Sequence, residues 1–189
     1  MTERPIENQL AVSGPKKQAC FVIMAGLPGT GKSTLARNLA AQLNGVVLDK
    51  DLVRDALFGE NWTEYSRQQD DFCIELLLQA AGYLAAKAAP PAYLFIDGRT
   101  FSMRSQVDRV ANYARNLGCR VKLLHLVCSD GTARHRLALD HVAKNRDFAL
   151  YLKVKAAFEP IEHEHLKLNT DGGLSEAILR QSARYLRGD

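Results

Sequence analysis

The sequence has few cysteines and lacks any long apolar run. Cys20, Cys73, Cys119 and Cys128 are far apart and form neither a C-x-x-C pair nor a cysteine and histidine zinc pattern, so the sequence indicates no disulfide framework and no zinc site. No stretch reaches the roughly 18 uninterrupted apolar residues of a membrane span, and the N-terminus has no apolar signal-peptide segment. These absences predict a cytoplasmic protein without a membrane partner.

Neither sign of charge is in strong excess. The 189 residues carry a net charge of +4 at pH 7, with 47% hydrophobic and 24% charged residues, which is typical of globular proteins and too weakly basic to indicate nucleic-acid binding by itself. Residues 1–18 mix proline, glycine, asparagine and charges without apolar periodicity. We therefore expect a flexible leader over 1–18 and one domain over 19–189.

Five short apolar runs alternate with longer helical segments. Runs of this kind, separated by more than a dozen residues, predict a parallel sheet covered by helices on both faces. The runs span 19–25, 45–49, 92–97, 121–127 and 165–169. Residues 71–89 predict a buried helix that Pro90 and Pro91 end. The charged segment that follows the fourth run predicts a helical lid over about 138–160.

One motif stands out, since GLPGTGKST fits the Walker A pattern G-x-x-x-x-G-K-[ST]. It directly follows the run FVIMA and leads into the helical sequence TLARNLAAQL, which is the context that a phosphate-binding P-loop requires. The predicted nucleotide-binding residues of this loop are Gly26, Leu27, Pro28, Gly29, Thr30, Gly31, Lys32, Ser33 and Thr34.

The residue types in this motif suit the phosphates of ATP. Glycines at 26, 29 and 31 let the backbone N–H groups point at phosphate oxygens beside a helix N-terminus, which carries about half a positive charge. Lys32 can reach the β- and γ-phosphates, and the Ser33 hydroxyl can coordinate Mg²⁺. The sequence thus predicts ATP and Mg²⁺ as cofactors.

A second set of polar residues follows the second apolar run. Asp49 and Asp51 lie at its carboxyl end, and Arg54 lies one helical turn beyond Asp51. A carboxylate there can accept a hydroxyl proton during phosphoryl transfer, and Arg54 can clamp an acceptor oxygen. Asp51 is the candidate base. The alternatives are that Asp49 takes this role and that Asp51 merely caps a helix.

The third run ends in FIDGRT, which places Asp97 at the same predicted sheet edge, where it could hold a water bound to Mg²⁺. The GTPase motifs DxxG and NKxD are missing from the chain. We therefore expect a kinase rather than a GTPase.

Further candidates follow the fourth and fifth runs. The segment after the fourth run carries Arg134, Arg136 and Arg146, of which Arg136 could stack on adenine and Arg146 could close over the γ-phosphate. Ordinary solvated helix arginines are the alternative. The turn NTDGG at 169–173, which contains Asp171, could frame the adenine, although a plain strand-to-helix turn fits equally well.

Together, these segments resemble a known group. GLPGTGKST, LDKDLVR, FIDG, the pair Arg136 and Leu137, Arg146 and the segment FEPIEHEHLKLNTDGGL are similar to AAA-33-like P-loop kinases, relatives of gluconate kinase, adenylylsulfate kinase, chloramphenicol phosphotransferase, zeta toxin and polynucleotide kinase. The resemblance implies that Asp51 is the general base, that Arg54 clamps the acceptor and that Arg146 is the lid arginine.

The sequence therefore predicts an α/β P-loop NTPase of three layers, with five parallel strands in the order 2-3-1-4-5. The predicted activity is transfer of the γ-phosphoryl group of ATP to a hydroxyl of a small molecule. Two alternatives stay open, a kinase acting on a polynucleotide 5′-hydroxyl, which is less favoured, and a nucleotide-binding regulatory ATPase without an acceptor. Lys32, Asp51, Arg54 and Arg146 are the predicted catalytic residues.

Overall fold

Strands and helices alternate along the chain in a computed structural model that describes residues 18–139 and 147–189. Within these ranges there are five strands and seven helices. The strands are β1 (Cys20–Ala25), β2 (Gly45–Asp49), β3 (Tyr93–Asp97), β4 (Arg120–Val127) and β5 (Leu166–Asn169). The helices are α1 (Lys32–Gln42), α2 (Lys50–Phe58), α3 (Arg67–Ala85), α4 (Arg104–Asn116), α5 (Asp130–Leu139), α6 (Phe148–Ala156) and α7 (Glu176–Arg187).

The strands form one parallel sheet in the order β2-β3-β1-β4-β5. This confirms the predicted fold class and strand order. The register pairs Asp49 with Asp97 at the ends of β2 and β3, and Ala25 with His125 in β1 and β4. The carboxyl ends of neighbouring strands therefore meet along one edge, outside which open α/β sheets bind their ligands.

The central strand β1 is buried along its whole length. Its side chains alternate between two hydrophobic clusters, because successive residues of a strand point to opposite faces. Phe21 and Ile23 belong to the cluster that contains residues of α3 and α4, whereas Val22 and Met24 belong to the cluster that contains residues of α1 and α7. The core thus consists of two apolar layers, one on each face of the sheet.

Helix α3 differs from its prediction at both ends. It begins at Arg67, where the Ser66 side chain caps it by accepting from the N–H of Gln69. It ends at Ala85, before Pro90 is reached. Its outer face is also less covered than expected, since Phe72 is 52% exposed. No helix in the described ranges is long and apolar enough to cross a membrane.

The predicted lid at about 138–160 falls partly on residues 140–146, which lie outside the described ranges. Its described part consists of the end of α5 and the helix α6. The Tyr151 hydroxyl of α6 donates a hydrogen bond of 2.8 Å to Asp130 of α5. The Arg134 guanidinium lies 4.2 Å from the centre of the Phe148 ring. These contacts pack α6 against α5.

Candidate functional site

The P-loop joins the end of β1 to the start of α1. Gly26 has a φ of 139°, and a Cβ atom at this position would lie 2.3 Å from the Leu126 carbonyl oxygen, so a side chain cannot be accommodated without moving β4. Helix α1 has no side-chain cap and no acidic residue in its first turn. Its first N–H groups and the positive end of its dipole are therefore available to an anion.

The side chains of the loop are ordered around one carbonyl. Lys32 Nζ donates to the Leu27 carbonyl oxygen at 2.9 Å, and the Thr30 hydroxyl donates to the same oxygen at 2.8 Å. Ser33 and Thr34 line the adjoining cavity. The loop thus holds its amine and hydroxyl groups at the N-terminus of α1, which is the arrangement that phosphate recognition needs.

Two carboxylates lie side by side at the ends of β2 and β3. Asp97 is completely buried, and neither of its oxygens has a hydrogen-bond partner in the described part of the chain. Asp49 caps α2 by accepting from the N–H of Asp51 at 2.9 Å. Burial raises the pKa of Asp49 above its usual range, and the neighbouring charge of Asp97 raises this pKa further.

This pair fits a magnesium ion. A buried carboxylate without a donor is costly unless a proton or a cation compensates it, and carboxylate and hydroxyl oxygens are ligands that Mg²⁺ takes. Asp49, Asp97 and Ser33 line the same cavity. Residues 18–139 and 147–189 contain no group of three or more His, Cys, Asp and Glu that could hold a metal ion. An ion here would take its other ligands from phosphates and water, as Mg²⁺ commonly does.

The predicted base and its arginine belong to an ionic cluster of four side chains. Lys50 Nζ lies 3.0 Å from Asp51 Oδ1 and 2.7 Å from Asp70 Oδ1. Arg54 Nη1 lies 3.0 Å from the same oxygen of Asp51, and Nη2 contacts Asp70. The side chains of Lys50 and Arg54 are only 6% and 2% exposed. Because buried charges need partners, the two carboxylates hold both cations in place. The cations in turn fix the orientation of Asp51.

The cluster decides whether Asp51 merely caps α2 and whether Arg54 is solvated. The side chain that caps α2 is Asp49 and not Asp51, so the reading of Asp51 as a cap is wrong. Arg54 is buried and paired rather than solvated. The sequence analysis missed Lys50 and Asp70. The sequence did contain an indication of Asp70, because acidic residues near the start of a predicted helix can pair with the lysine of DKD at 49–51.

A second buried cation closes the same region. Arg99 follows β3, is 8% exposed and lies 2.5 Å from Asp71 of α3 through Nη1. Burial lowers the pKa of Lys50, and the nearby charges of Arg54 and Arg99 lower it as well, whereas Asp51 raises it. Asp70 and Asp71, near the start of α3, thus supply carboxylates to all three cations behind the cavity.

Arg136 connects α5 to the P-loop. It donates to the Gly29 carbonyl oxygen at 3.1 Å and to the hydroxyl and carbonyl oxygens of Thr170. The Thr170 hydroxyl in turn donates to the Thr30 carbonyl oxygen at 2.9 Å. Arg136 therefore braces the loop from outside while its side chain also lines the cavity. Thr170 is fully buried and lies in the turn NTDGG at 169–173, from which the sequence analysis chose only Asp171 as a binding residue.

Within the described ranges, four predicted residues do not line this cavity, namely Asp171 and the P-loop residues Gly26, Leu27 and Thr30. Asp171 is exposed and does not line it. Its Oδ1 accepts from the Ser129 N–H at 2.8 Å, and this backbone hydrogen bond, with others from neighbouring side chains, lowers the pKa of Asp171 to about 2. Arg146 lies outside the described ranges.

One cavity of about 560 Å³ brings the remaining parts together. It extends from the P-loop across the ends of β2 and β3 to the start of α2. The predicted residues that line it are Pro28, Gly29, Gly31, Lys32, Ser33, Thr34, Asp49, Asp51, Arg54, Asp97 and Arg136. A phosphate-binding loop and a carboxylate held by cations therefore face the same space, which is large enough for a nucleotide phosphate chain and a small acceptor.

The AAA_33 family, described as an AAA domain, matches residues 21–160. The chain belongs to this family. No curated protein sequence matches the chain. The match begins within β1, contains the whole P-loop and extends past α6.

Solved structures share the fold of this AAA_33 chain. A proposed kinase from Chloroflexus aurantiacus J-10-fl is 22% identical with a TM-score of 0.70, over 93% of this chain and 99% of that one. The adenylylsulfate kinase CysC of Mycobacterium tuberculosis, in complex with AMPPNP and adenylylsulfate, is 17% identical with a TM-score of 0.64, over 93% and 100%. A gluconokinase from Sinorhizobium meliloti 1021 is 15% identical with a TM-score of 0.62, over 92% and 93%.

Proposed function

We propose that the protein is an ATP-dependent kinase that transfers the γ-phosphoryl group to a hydroxyl of a small molecule. The observation that carries this proposal is the shared cavity, in which the P-loop faces Asp51. The folds of an adenylylsulfate kinase and a gluconokinase support it, because both of those proteins act on small molecules as their names state. We take residues 19–189 as one kinase domain with its lid at about 138–160.

The donor phosphates bind at the P-loop in this proposal. The N–H groups at the start of α1 donate to phosphate oxygens, and Lys32 leaves the Leu27 carbonyl to reach the γ-phosphate. Ser33 and Asp97 hold Mg²⁺, directly or through water. The ion supplies positive charge that neutralises the phosphate oxygens. Arg136 keeps the loop in shape, and Arg146 is the proposed second clamp on the transferred group.

Asp51 is the proposed base for the acceptor. Its carboxylate accepts the hydroxyl proton while the hydroxyl oxygen forms a bond to the γ-phosphorus and the bond from that phosphorus to the bridging oxygen of ADP breaks. Lys50 and Arg54 orient this carboxylate from behind. Positioning of this kind is the main contribution that a protein makes to phosphoryl transfer.

A polynucleotide acceptor would require basic charge around Asp51. In the described residues, the buried cations nearest to Asp51 are neutralised by the carboxylates of α3. Among the described residues, Arg37 of α1 is the only exposed cation that lines the cavity, and no ion pair within these residues includes it. The geometry therefore favours a small acceptor over a nucleic acid.

The test measures ATP consumption with Mg²⁺ against a panel of sugars, sugar acids, nucleosides, hydroxylated antibiotics and a 5′-hydroxyl oligonucleotide. Acceptor-dependent turnover should fall at least about 100-fold in Lys32→Ala and stay unchanged in Lys87→Ala, an exposed lysine that follows α3 and does not line the cavity. Asp51→Asn should lower kcat about 10²- to 10⁴-fold with ATP affinity retained. If Asp49→Asn has that effect and Asp51→Asn does not, Asp49 is the base. A rate of ATP hydrolysis that no acceptor changes and that is the same in Asp51→Asn would identify a regulatory ATPase instead.

A further inference from the structure

The far end of the cavity, next to Asp51, contains an aromatic side chain that no part of the proposed chemistry uses. Tyr65 lines the cavity and is 43% exposed. Its ring lies with its centre 5.2 Å from the guanidinium carbon of Arg54. Leu52, which is 67% exposed, lines the same end. The acceptor side of the cavity therefore has an apolar wall open to a ligand.

The backbone holds Tyr65 there at a cost. Its φ of 52° is in the left-handed region, which disfavours a side chain with a Cβ by about 1–2 kcal/mol. Such strain persists only where the surroundings enforce it, and it is most common at ligand sites. Glycine or asparagine would occupy this position more easily. The presence of tyrosine therefore indicates that its ring contributes to binding.

The connection between α2 and α3 is fixed by Gln69. This buried side chain donates to the Trp62 carbonyl oxygen at 2.9 Å and accepts from the Glu64 N–H at 3.0 Å. The Ser66 hydroxyl caps α3 directly after Tyr65. The residues on both sides of Tyr65 are thus anchored, so its ring is presented as part of a preformed wall.

The charges around this end argue against an anionic acceptor. Lys50 and Arg54 are paired with Asp51 and Asp70. Arg99 is paired with Asp71. A phosphate or carboxylate on the acceptor would have to displace these carboxylates from buried cations, which is strongly unfavourable.

The remaining carboxylates lead to the same conclusion. Asp49 and Asp97 suit the divalent cation described above, which compensates their charge, and Asp55 lies exposed at the cavity wall. With the cation bound, the exposed charged residues that remain on the described wall of the cavity are Arg37 and Asp55, whose charges are opposite in sign. The Asp55 carboxylate instead offers an acceptor that suits neutral hydroxyl groups.

We propose that the acceptor is an uncharged, hydroxyl-bearing ring compound, such as a neutral saccharide or a nucleoside, that lays one apolar ring face on Tyr65. This inference rests on the proposed kinase function. Ring stacking supplies affinity without charge, and the ring fixes which hydroxyl reaches Asp51. Tyr65 is thus assigned as the specificity residue of the acceptor end.

The first test compares matched acceptors that differ in charge. Hexoses are assayed against their aldonic acids, and nucleosides against their monophosphates, in the ATP-consumption assay and by calorimetric binding without nucleotide. The uncharged member of a pair should have a kcat/KM at least about tenfold higher and should bind more tightly. Turnover confined to the anionic members overturns this inference alone. Turnover with no acceptor at all overturns the proposed function and the inference together.

The second test changes the wall and its charges. Tyr65→Ala should raise the KM and the Kd of the acceptor about tenfold and leave the KM of ATP within about twofold. Tyr65→Phe should restore acceptor affinity, and Tyr83→Ala, an exposed tyrosine of α3, should change neither constant. Asp71→Asn frees Arg99 and should lower the preference for the uncharged acceptor about tenfold. Unchanged acceptor constants in Tyr65→Ala, or an unchanged preference in Asp71→Asn, would refute the assignment.

Discussion

Asp70 Oδ1 lies 2.7 Å from Lys50 Nζ, which ties the first turn of α3 to the first turn of α2. Asp70 contacts Arg54 as well. Neither cation could remain buried beside Asp51 if Asp70 were absent, because one carboxylate would then face two buried charges. Asp70 does not line the cavity, so its effect on the site passes through Lys50 and Arg54.

Asp70→Asn should lower the free energy of unfolding by about 3 kcal/mol, because it removes one partner of a buried ionic cluster. Urea unfolding measures this loss. Glu75→Gln is the matched control on the same helix, since Glu75 pairs with Arg109 at a site where both side chains are more than 40% exposed. The control should cost less than about 1 kcal/mol. Equal losses in the two variants would mean that the cluster contributes no more than a surface ion pair.

Gly26→Ala should destabilise the protein by about 3 kcal/mol and abolish ATP binding. A Cβ at this position would lie 2.3 Å from the Leu126 carbonyl oxygen, and overpacking of this kind forces backbone shifts. Gly172→Ala is the control, because nothing lies within 4 Å of its Cβ position. Thermal unfolding and nucleotide titration of both variants check the prediction. A Gly26→Ala protein that binds ATP normally would contradict it.

Arg136→Lys should weaken ATP binding about tenfold. The guanidinium donates to the carbonyl oxygen of Gly29 and to Thr170 at the same time, and a lysine amine cannot reproduce this forked geometry. Arg134→Lys on the same helix should leave ATP affinity within about twofold, because Arg134 lies over Phe148 and not against the loop. Calorimetric titration of ATP into each variant distinguishes bracing of the loop from a general charge effect.

His125 should make the protein less stable in mild acid. Burial lowers its pKa from 6.5 to about 4, and the nearby charges of His165, Lys167 and Lys32 lower this pKa as well. Between these two pH values the unfolded chain binds a proton that the folded chain does not, so this contribution to stability falls as the pH drops from about 6.5 to about 4.

His125→Leu removes this contribution. The difference in unfolding free energy between wild type and variant should therefore shift in favour of the variant from about pH 7.5 to about pH 4.5. His135→Leu, at an exposed position, is the matched control for the replacement of a histidine by leucine. Parallel dependences in the two variants would show that His125 ionises as freely in the folded protein as in the unfolded chain.

The sheet could be predicted from the sequence because β1 to β4 are rich in apolar residues and β5 alternates apolar with polar residues. The run 45–49 coincides with β2, and the other four predicted runs agree with their strands within one residue at each end. Such runs need no long-range information, and the P-loop motif adds local context of its own. The start of α3 was missed because Ser66 caps it upstream of the apolar stretch on which the prediction relied.

The site was predictable only where a motif marks it. Lys32, Ser33, Asp51, Arg54 and Asp97 follow local patterns at strand ends, and the structure places them around one cavity. Asp70 and Thr170 could not be found in this way, because each acts on residues that are distant in sequence. Partners of this kind are created by the fold, so a single sequence without related sequences does not reveal them.

The hydrogen bond from Thr170 to Thr30 joins residues that are 140 positions apart. During translation, the P-loop and α1 leave the ribosome long before β5 and the turn that follows it. A nascent chain that already contains β1 to β4 therefore still lacks Thr170, which is also an anchor of Arg136. Under the proposed function, ATP should stabilise the finished domain but not these early folding intermediates, so nucleotide should protect the protein from proteolysis only late in synthesis.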